Sequence, residues 1–532
     1  MRRLATGRVV ILGAGIGGLS AALALAPRPV LVVSPQVLGE GASSAWAQGG
    51  IAAAMGPSDS AADHARDTVG AGAGLVDAAV AAAVAGEAPQ RIRDLTLLGA
   101  PFDRDPAGGY VLSREAAHSR PRVVRIGGDR AGAGIMRALI AAIRATPSVQ
   151  VLEGVAACGL HLRHGRVAGA ELMRIGADGA AASRPVCVTA PAILLAGGGA
   201  GGLFAVTTNP PGIAGQAVGL AARAGALIAD AEFVQFHPTA LDLGRDPAPL
   251  ATEALRGAGA VLRDASGAPI MAGLHPDADL APRDVVARAV FAAARAGRRP
   301  VLDATQAPGA AILQEFPEVS RACLAAGIDP ARQPMPVAAA AHYHIGGVQS
   351  DARGRSSLPG LWVCGEAACT GLHGANRLAS NGLLEALVFA RRAAADMATC
   401  LPSAAPSPEV VLPPLRPLPP PDAALVLRLR QAMTAGAGVI RDAAGLSRCL
   451  AEIAEIEAAA RACPVLVNMT ATATLIAAAA LLRRESRGAH FRSDFPRPAG
   501  GAGCRSRLTL QAALEIRAAA RHSSAMVAVT QR

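Results

Sequence analysis

Three features of the sequence predict an α/β fold built around one composite, glycine-lined site. First, the apolar run Val9–Leu12 is followed by GAGIGG (13–18), the Ala/Leu-rich run Leu19–Ala26 and a second apolar run, Val30–Val33. That order is strand, tight loop, helix, strand, the opening of a βαβ unit. Second, another glycine-rich loop opens a helix far downstream, in CGEAACTGLHGANRLASNGLLEA (364–386). Third, a proline-rich stretch, LPSAAPSPEVVLPPLRPLPPPD (401–422), precedes helical patterns such as Leu425–Thr434 and Leu446–Ala462. Proline-rich chain is stiff and short of amide donors, so it reads as a linker to a helical C-terminal domain.

GAGIGG fits G-x-G-x-x-G. Gly13 makes the tight turn, Gly15 lets backbone approach a pyrophosphate, and Gly18 lets helix and strand pack closely. The helix N-terminus then faces the phosphates. An acid is expected at the end of the second strand to bond a ribose; Ser34 stands there instead. In SSAWAQGGIAAA (43–54), Gln48, Gly49 and Gly50 offer one amide and several backbone donors, which suits a flavin ring and its diphosphate. Next comes SREAAHSRPRVVR (113–125), a lone Glu115 beside His118 and four arginines. On its own it reads as a solvated charged loop, with Arg114, Arg120, Arg122 and Arg125 as local charge balance. A further buried strand, Ala192–Ala196, runs into GGGAGGLF. Residues 231–345 are mixed helix and loop. In the downstream loop Glu366 is placed to bond ribityl hydroxyls, and Asn381–Leu383 to present N–H groups to the flavin carbonyl edge. Two ends of the chain then close one cofactor site, so the cofactor domain is discontinuous.

Composition narrows the class. A chain of 532 residues is too long for one simple core. Hydrophobic residues make up 52% and aromatics 2%, so the core is aliphatic. The formal net charge is +11, but there is no lysine and the arginines are spread along the chain. With so few aromatics to stack bases, a nucleic-acid surface is not indicated. Nine cysteines lack any C-x-x-C pair, which argues against zinc or iron–sulfur ligation and suits a reducing cytoplasm. His342 and His344 alternate as on a strand, without further metal-ligand spacing. No stretch of about 20 residues reads as a membrane span, and the glycines at the N-terminus argue against a signal peptide.

Eight ordered motifs carry a resemblance: AQGGIAAA, TTNPPG (207–212), EFVQFHPTAL (232–241), TEALRGAGAVL (252–262), APRDVVARA (281–289), AHYHIGGV (341–348), GLHGANRLASNGLLEA, and ESRGAHFRSDFP (485–496). Together they resemble the flavoprotein family of succinate dehydrogenase, fumarate reductase and L-aspartate oxidase. The resemblance implies a Rossmann-like FAD-binding domain (1–230 and 346–400), interrupted by a capping domain (231–345). The linker 401–422 and a helical domain (423–532) follow. It implies FAD contacts at Gly13, Ala14, Gly15, Gly17, Gly18, Ser34, Ser43, Ser44, Ala47, Gln48, Gly49, Gly50, Ile51, Val155, Gln216, Glu366, Asn381, Gly382 and Leu383. Gln216 replaces the family's Asp, and Gly382 its Ser. Arg283, Arg377, His237, His342 and Thr252 match substrate-binding positions, with Arg283 also moving the proton when fumarate is reduced. Two carboxylates of a four-carbon acid need such paired cations and donors to be buried.

Two positions separate the branches. Where succinate dehydrogenases carry the histidine that links covalently to the flavin, Ser43 stands, so noncovalent FAD is expected. REAAHS is similar to the R-E-G-G-H-S segment of L-aspartate oxidases. A carboxylate at Glu115 favours an amino dicarboxylate over a plain one. This branch implies oxidation of L-aspartate to iminoaspartate, reoxidation by O2 or fumarate, and supply of quinolinate synthase in NAD biosynthesis. The alternative is a soluble fumarate reductase or a succinate dehydrogenase flavoprotein subunit.

Overall fold

The computed structural model describes residues 2–174, 185–403, 405–413, 420–460 and 463–530, the last ten of these by backbone alone. Its centre is a five-stranded parallel sheet in the order Leu361–Val363, Ile193–Leu195, Val9–Leu12, Val30–Ser34, Val149–Glu153. The three middle strands are fully buried, which is why they read as continuous apolar runs rather than alternating ones. Because the strands are parallel, all five carboxyl ends lie at one edge, where open α/β sheets bind ligands. The strand Leu361–Val363 comes from far downstream, so the sheet is assembled from distant parts of the chain. The discontinuity expected from the second glycine loop is thus present. The helix Ile16–Leu25 packs against the helix Asn381–Cys400 above this sheet.

A second sheet, ordered Arg2–Ala5, Val186–Thr189, Arg166–Arg174, Val155–Arg163, flanks the first. The inserted segment forms an antiparallel sheet in the order Val234–Leu241, Met335–His344, Val301–Asp303, Val261–Arg263. The helix Arg283–Arg295 packs on its first strand. This unit has its own aliphatic core around Leu255, Leu262, Val286, Val290 and Leu302.

The C-terminal region is helical: Ala423–Gly436, Ala443–Ala459, Pro464–Leu482 and Leu510–Thr530. The expectation of no membrane-length apolar stretch needs correction. Pro464–Leu482 is long and apolar enough by composition, and 78% of its apolar window is buried inside the protein. It lies against the helix Gln216–Arg223, where a Cβ on Gly219 would stand 2.2 Å from the Asn468 carbonyl oxygen. The helical region therefore shares one core with the cofactor sheet instead of hanging from a linker. Of that linker, residues 404 and 414–419 lie outside the described residues. Its described part is fastened down: Arg8 donates to the Ser407 and Pro408 carbonyls, and Val410 exchanges two hydrogen bonds with the Gln150 side chain.

Candidate functional site

A cavity of about 1210 Å³ opens along the carboxyl edge of the parallel sheet. Each strand end contributes to its lining: Gly13–Gly15 after the first strand, Ser34–Gln36 after the second, and Val155 beyond the third. Ala196–Gly198 follow Ile193–Leu195, and Cys364–Glu366 follow Leu361–Val363. That volume exceeds the usual small-ligand pocket of about 300–1,000 Å³ and suits an elongated dinucleotide. Gly13 has φ +118°, and a Cβ there would sit 2.3 Å from the Ala196 carbonyl oxygen, so only glycine lets these two loops meet. Gly18 does not line the cavity. Its missing Cβ admits the Gly13 carbonyl oxygen, 2.0 Å from where that atom would be, which is the helix–strand packing its spacing predicts.

The other expected cofactor positions divide into two groups. Ala14, Gly15, Gly17, Ser34, Ser43, Ser44, Ala47, Gln48, Val155, Gln216, Glu366, Gly382 and Leu383 line the cavity. Gly49, Gly50, Ile51 and Asn381 do not; they support the wall. Ile51 pairs with Val124. The Asn381 side chain ties the start of its helix to His64 (2.8 Å) and Thr68 (3.0 Å). Ser44 accepts a hydrogen bond from the Ile16 N–H, and Ser34 donates to the Gln36 carbonyl at 2.6 Å. The Gln216 amide is bonded at both ends to the C-terminal helix, donating to Val465 O (3.0 Å) and accepting from Asn468 (3.2 Å). The Gln216 amide is thus committed to packing between the two helices. Two features fit a bound flavin dinucleotide. The buried Gln48 Oε1 has no partner among the described residues. Glu366 accepts from the His344 N–H, and burial pushes its carboxyl up to about 7.

Beside this cavity lies a buried charged cluster. Arg283 is the first residue of its helix, and its Nε donates to Glu253 while Nη1 donates to Gln235 at 3.2 Å. Glu253 is also 3.3 Å from Arg256. Burial would raise the Glu253 carboxyl, but Arg283 and Arg256 outweigh it and hold it below its ordinary value. Arg377 lines the cavity with its guanidinium 4.4 Å above the Tyr343 ring, and burial beside Arg283 lowers it to about 10. His237 and His342 face each other at 5.1 Å, and both are kept neutral, first by burial and then by the nearby arginines. His342 bonds Thr208, and Thr252 is buried at the turn leading to Glu253.

Glu115 is not in a solvated loop: it is 3% exposed, and its Oε2 accepts from Ser380 at 2.9 Å. Its Oε1 fills the space a Cβ on Gly49 would need. Burial raises its carboxyl, the Glu253 charge adds to that, and Arg283 opposes it. The charge-balance reading of Arg122 is also corrected. Arg122 is 0% exposed and clamps Asp59 (2.9 Å) and Asp67, while its partner His118 bonds the Ala379 carbonyl. This clamp fixes the loop that carries Glu115. Gln235, Glu253, Arg256 and Tyr343 were not singled out from the sequence, although they lie within the motifs that were.

An FAD binding domain model matches residues 8–383, and a fumarate reductase flavoprotein C-terminal model matches 461–507. An L-aspartate oxidase of Caulobacter vibrioides is 56% identical over 491 residues, covering 92% of this chain and 93% of that protein. One of Agrobacterium fabrum is 48% identical, covering 91% of each. Among solved structures, Mycobacterium smegmatis Sdh1 is 31% identical with a TM-score of 0.77, covering 96% of this chain and 94% of that one. An E. coli quinol fumarate reductase chain, FrdA, is 25% identical with a TM-score of 0.83, covering 95% and 94%. With the glycine-lined cavity and the cluster beside it, these matches identify the chain as a member of the flavoprotein family of L-aspartate oxidases, fumarate reductases and succinate dehydrogenases, with FAD as its cofactor.

Proposed function

We propose that the chain oxidises L-aspartate to iminoaspartate. The observation that carries this reading is the charge pattern of the buried cluster. Arg377 has no carboxylate within ion-pair distance among the described residues and faces the cavity, with Arg283 close enough to depress it. Glu253 offsets one of Arg256 and Arg283, so that with Arg377 two positive charges remain to match the two carboxylates of a four-carbon acid, and Glu115 adds one negative group for an α-ammonium. Plain succinate gains nothing from that carboxylate and meets repulsion from it.

FAD, when bound, supplies the electron sink for the α-hydrogen and its electron pair. Gly13–Gly15, Gly17, Ser34, Ser43–Gln48, Val155, Glu366, Gly382 and Leu383, which line the cavity, would hold it. The protein's own groups do the rest. Arg377, His342, His237 and Thr252 fix the substrate carboxylates. Neutral histidines donate hydrogen bonds without adding a third and fourth positive charge. Arg283, oriented by Glu253 and Gln235, holds the carboxylate nearest the reacting carbons and carries the proton when fumarate is the acceptor. Holding reactant and cofactor in one geometry lowers the barrier by converting an encounter into a local step. We take O2 and fumarate as the acceptors. The imine product is prone to hydrolysis, which favours prompt consumption by an enzyme such as quinolinate synthase. The domain limits 1–230, 231–345, 346–400 and 423–532 complete the proposal.

Peroxide formation with L-aspartate, set against dye reduction with succinate, tests this reading. Aspartate-dependent peroxide is expected; succinate turnover with no response to aspartate would sink it. Because Ser43 replaces a histidine, acid denaturation is expected to release all the flavin, read as yellow colour in the supernatant. Colour retained in the pellet would mean a covalent link.

A further inference from the structure

Arg377 presents an unusual situation. It is a buried guanidinium whose Nε has no hydrogen-bond partner among the described residues, and no carboxylate lies within ion-pair distance of it. An arginine side chain has four rotatable bonds and loses rotamer freedom when fixed. Something other than an ion pair must hold its fork. The contact present is the face of Tyr343, 4.4 Å from the guanidinium carbon.

Tyr343 is itself braced. Its hydroxyl donates to Glu385 Oε2 at 3.0 Å, and the same oxygen is 3.0 Å from His373 Nε2. The other Glu385 oxygen accepts from Thr370. Glu385 is 1% exposed and lies in the first turns of the helix Asn381–Cys400. The ring edge fills the space beside Gly382: a Cβ there would stand 2.8 Å from the Tyr343 ring and 3.5 Å from Arg377 Nη1. The absence of a side chain at Gly382 therefore leaves room for the tyrosine ring to sit against the arginine.

We infer that Tyr343, braced by Glu385 and accommodated by Gly382, is a positioning residue that holds the Arg377 guanidinium face-on, so that its N–H groups point into the cavity at a substrate carboxylate. This rests on the reading of Arg377 as a substrate-binding residue. A cation over a desolvated aromatic face gains attraction without a neutralising charge. The arginine is thereby restrained and still carries its full charge toward the dianion.

The test uses the FAD-loaded enzyme and malonate, a dicarboxylate with no adjacent pair of C–H bonds to dehydrogenate. Malonate affinity is read from the change in flavin absorbance, and FAD affinity separately from flavin fluorescence. Tyr343→Leu is expected to weaken malonate about tenfold, and Tyr343→Phe, which keeps the ring but loses the brace, about threefold; because Tyr343 also lines the cofactor cavity, FAD affinity is measured in each and is expected to fall clearly less than malonate affinity. In an Arg377→Leu background, Tyr343→Leu should weaken malonate no further. Unchanged malonate affinity in Tyr343→Leu overturns the inference. So does a parallel loss of FAD and malonate binding, or a full Tyr343→Leu effect in the absence of Arg377. If Tyr343→Leu does not fold, the Tyr343→Phe result decides. If Arg377→Leu alone leaves malonate affinity unchanged, the substrate-binding reading of Arg377 falls and the inference falls with it. If Arg377→Leu weakens malonate and Tyr343→Leu does not, only the positioning role falls.

Discussion

Arg283→Leu is expected to abolish both aspartate oxidation and fumarate reduction while FAD remains bound. Arg283 does not line the cofactor cavity, so its removal leaves the glycine loops and their contacts intact. It is instead the hub of the charged cluster. Nε is held by Glu253 and Nη1 by Gln235, which in turn donates to Asn376 and to the Arg377 carbonyl. On the proposed reading both reactions desolvate a dicarboxylate against this hub, and loss of one preorganised donor commonly costs a hundredfold to a thousandfold. Here a positive charge goes as well, so a loss of about a thousandfold or more is expected in each direction. Glu253 keeps Arg256 at 3.3 Å, so its buried charge is not stranded. The checks are steady-state rates in both directions and the flavin absorbance of the purified variant. Either activity at the wild-type rate would refute the assignment.

The parts of this site that could be read from residue chemistry alone are those fixed by backbone demands, whereas Arg283, Arg377, His237, His342, Thr252 and Glu115 were legible only through motifs that resemble the family. Gly13 must take φ +118° against the Ala196 carbonyl, and no other residue does so without strain. The strand Val9–Leu12 is fully buried, and it reads as four apolar residues in a row. What could not be read depends on contacts between distant positions. Arg122 meets Asp59 and Asp67, Glu115 meets Ser380, and Arg283 meets Glu253 across 30 residues. A charged residue in a sequence has the same letter whether water or a buried partner solvates it. Arg122 therefore passed for charge balance. The helix Pro464–Leu482 was missed for a related reason. It is buried on nearly every side, so it lacks the 3.6-residue alternation by which a half-exposed helix is recognised. Gln216 shows the opposite case. The departure from the family pattern was visible, but the partners of the amide, Val465 and Asn468, lie about 250 residues away.

Glu115→Gln should separate the two substrates. Gln has nearly the same shape and can keep the Ser380 contact, so the Gly49 turn it packs against should be undisturbed. What changes is one negative charge inside a buried cluster. On the proposed reading that charge faces the aspartate ammonium, and losing one partner of a buried charge pair typically costs about 2–5 kcal/mol. A fall of about a hundredfold in kcat/KM for aspartate is therefore expected. Fumarate carries no ammonium, so its reduction should change less than about threefold, or rise slightly as repulsion from Glu115 is relieved. The pH dependence supplies a second signature. Burial and the neighbouring Glu253 raise the Glu115 carboxyl in the absence of substrate. As pH falls through that raised value the carboxylate is lost, so aspartate turnover in the native enzyme should decline on the acid side. The glutamine variant lacks this group and should lose its part of the limb, while the Glu366 carboxyl, which burial pushes up to about 7, titrates alike in both proteins. The measurement is kcat/KM for aspartate and for fumarate across the acid range in both proteins. Equal losses for the two substrates, or an unaltered acid limb in the variant, would remove Glu115 from substrate discrimination. The carboxylate would then be a support for the Gly49 turn and the Ser380 cap, the two contacts it already makes.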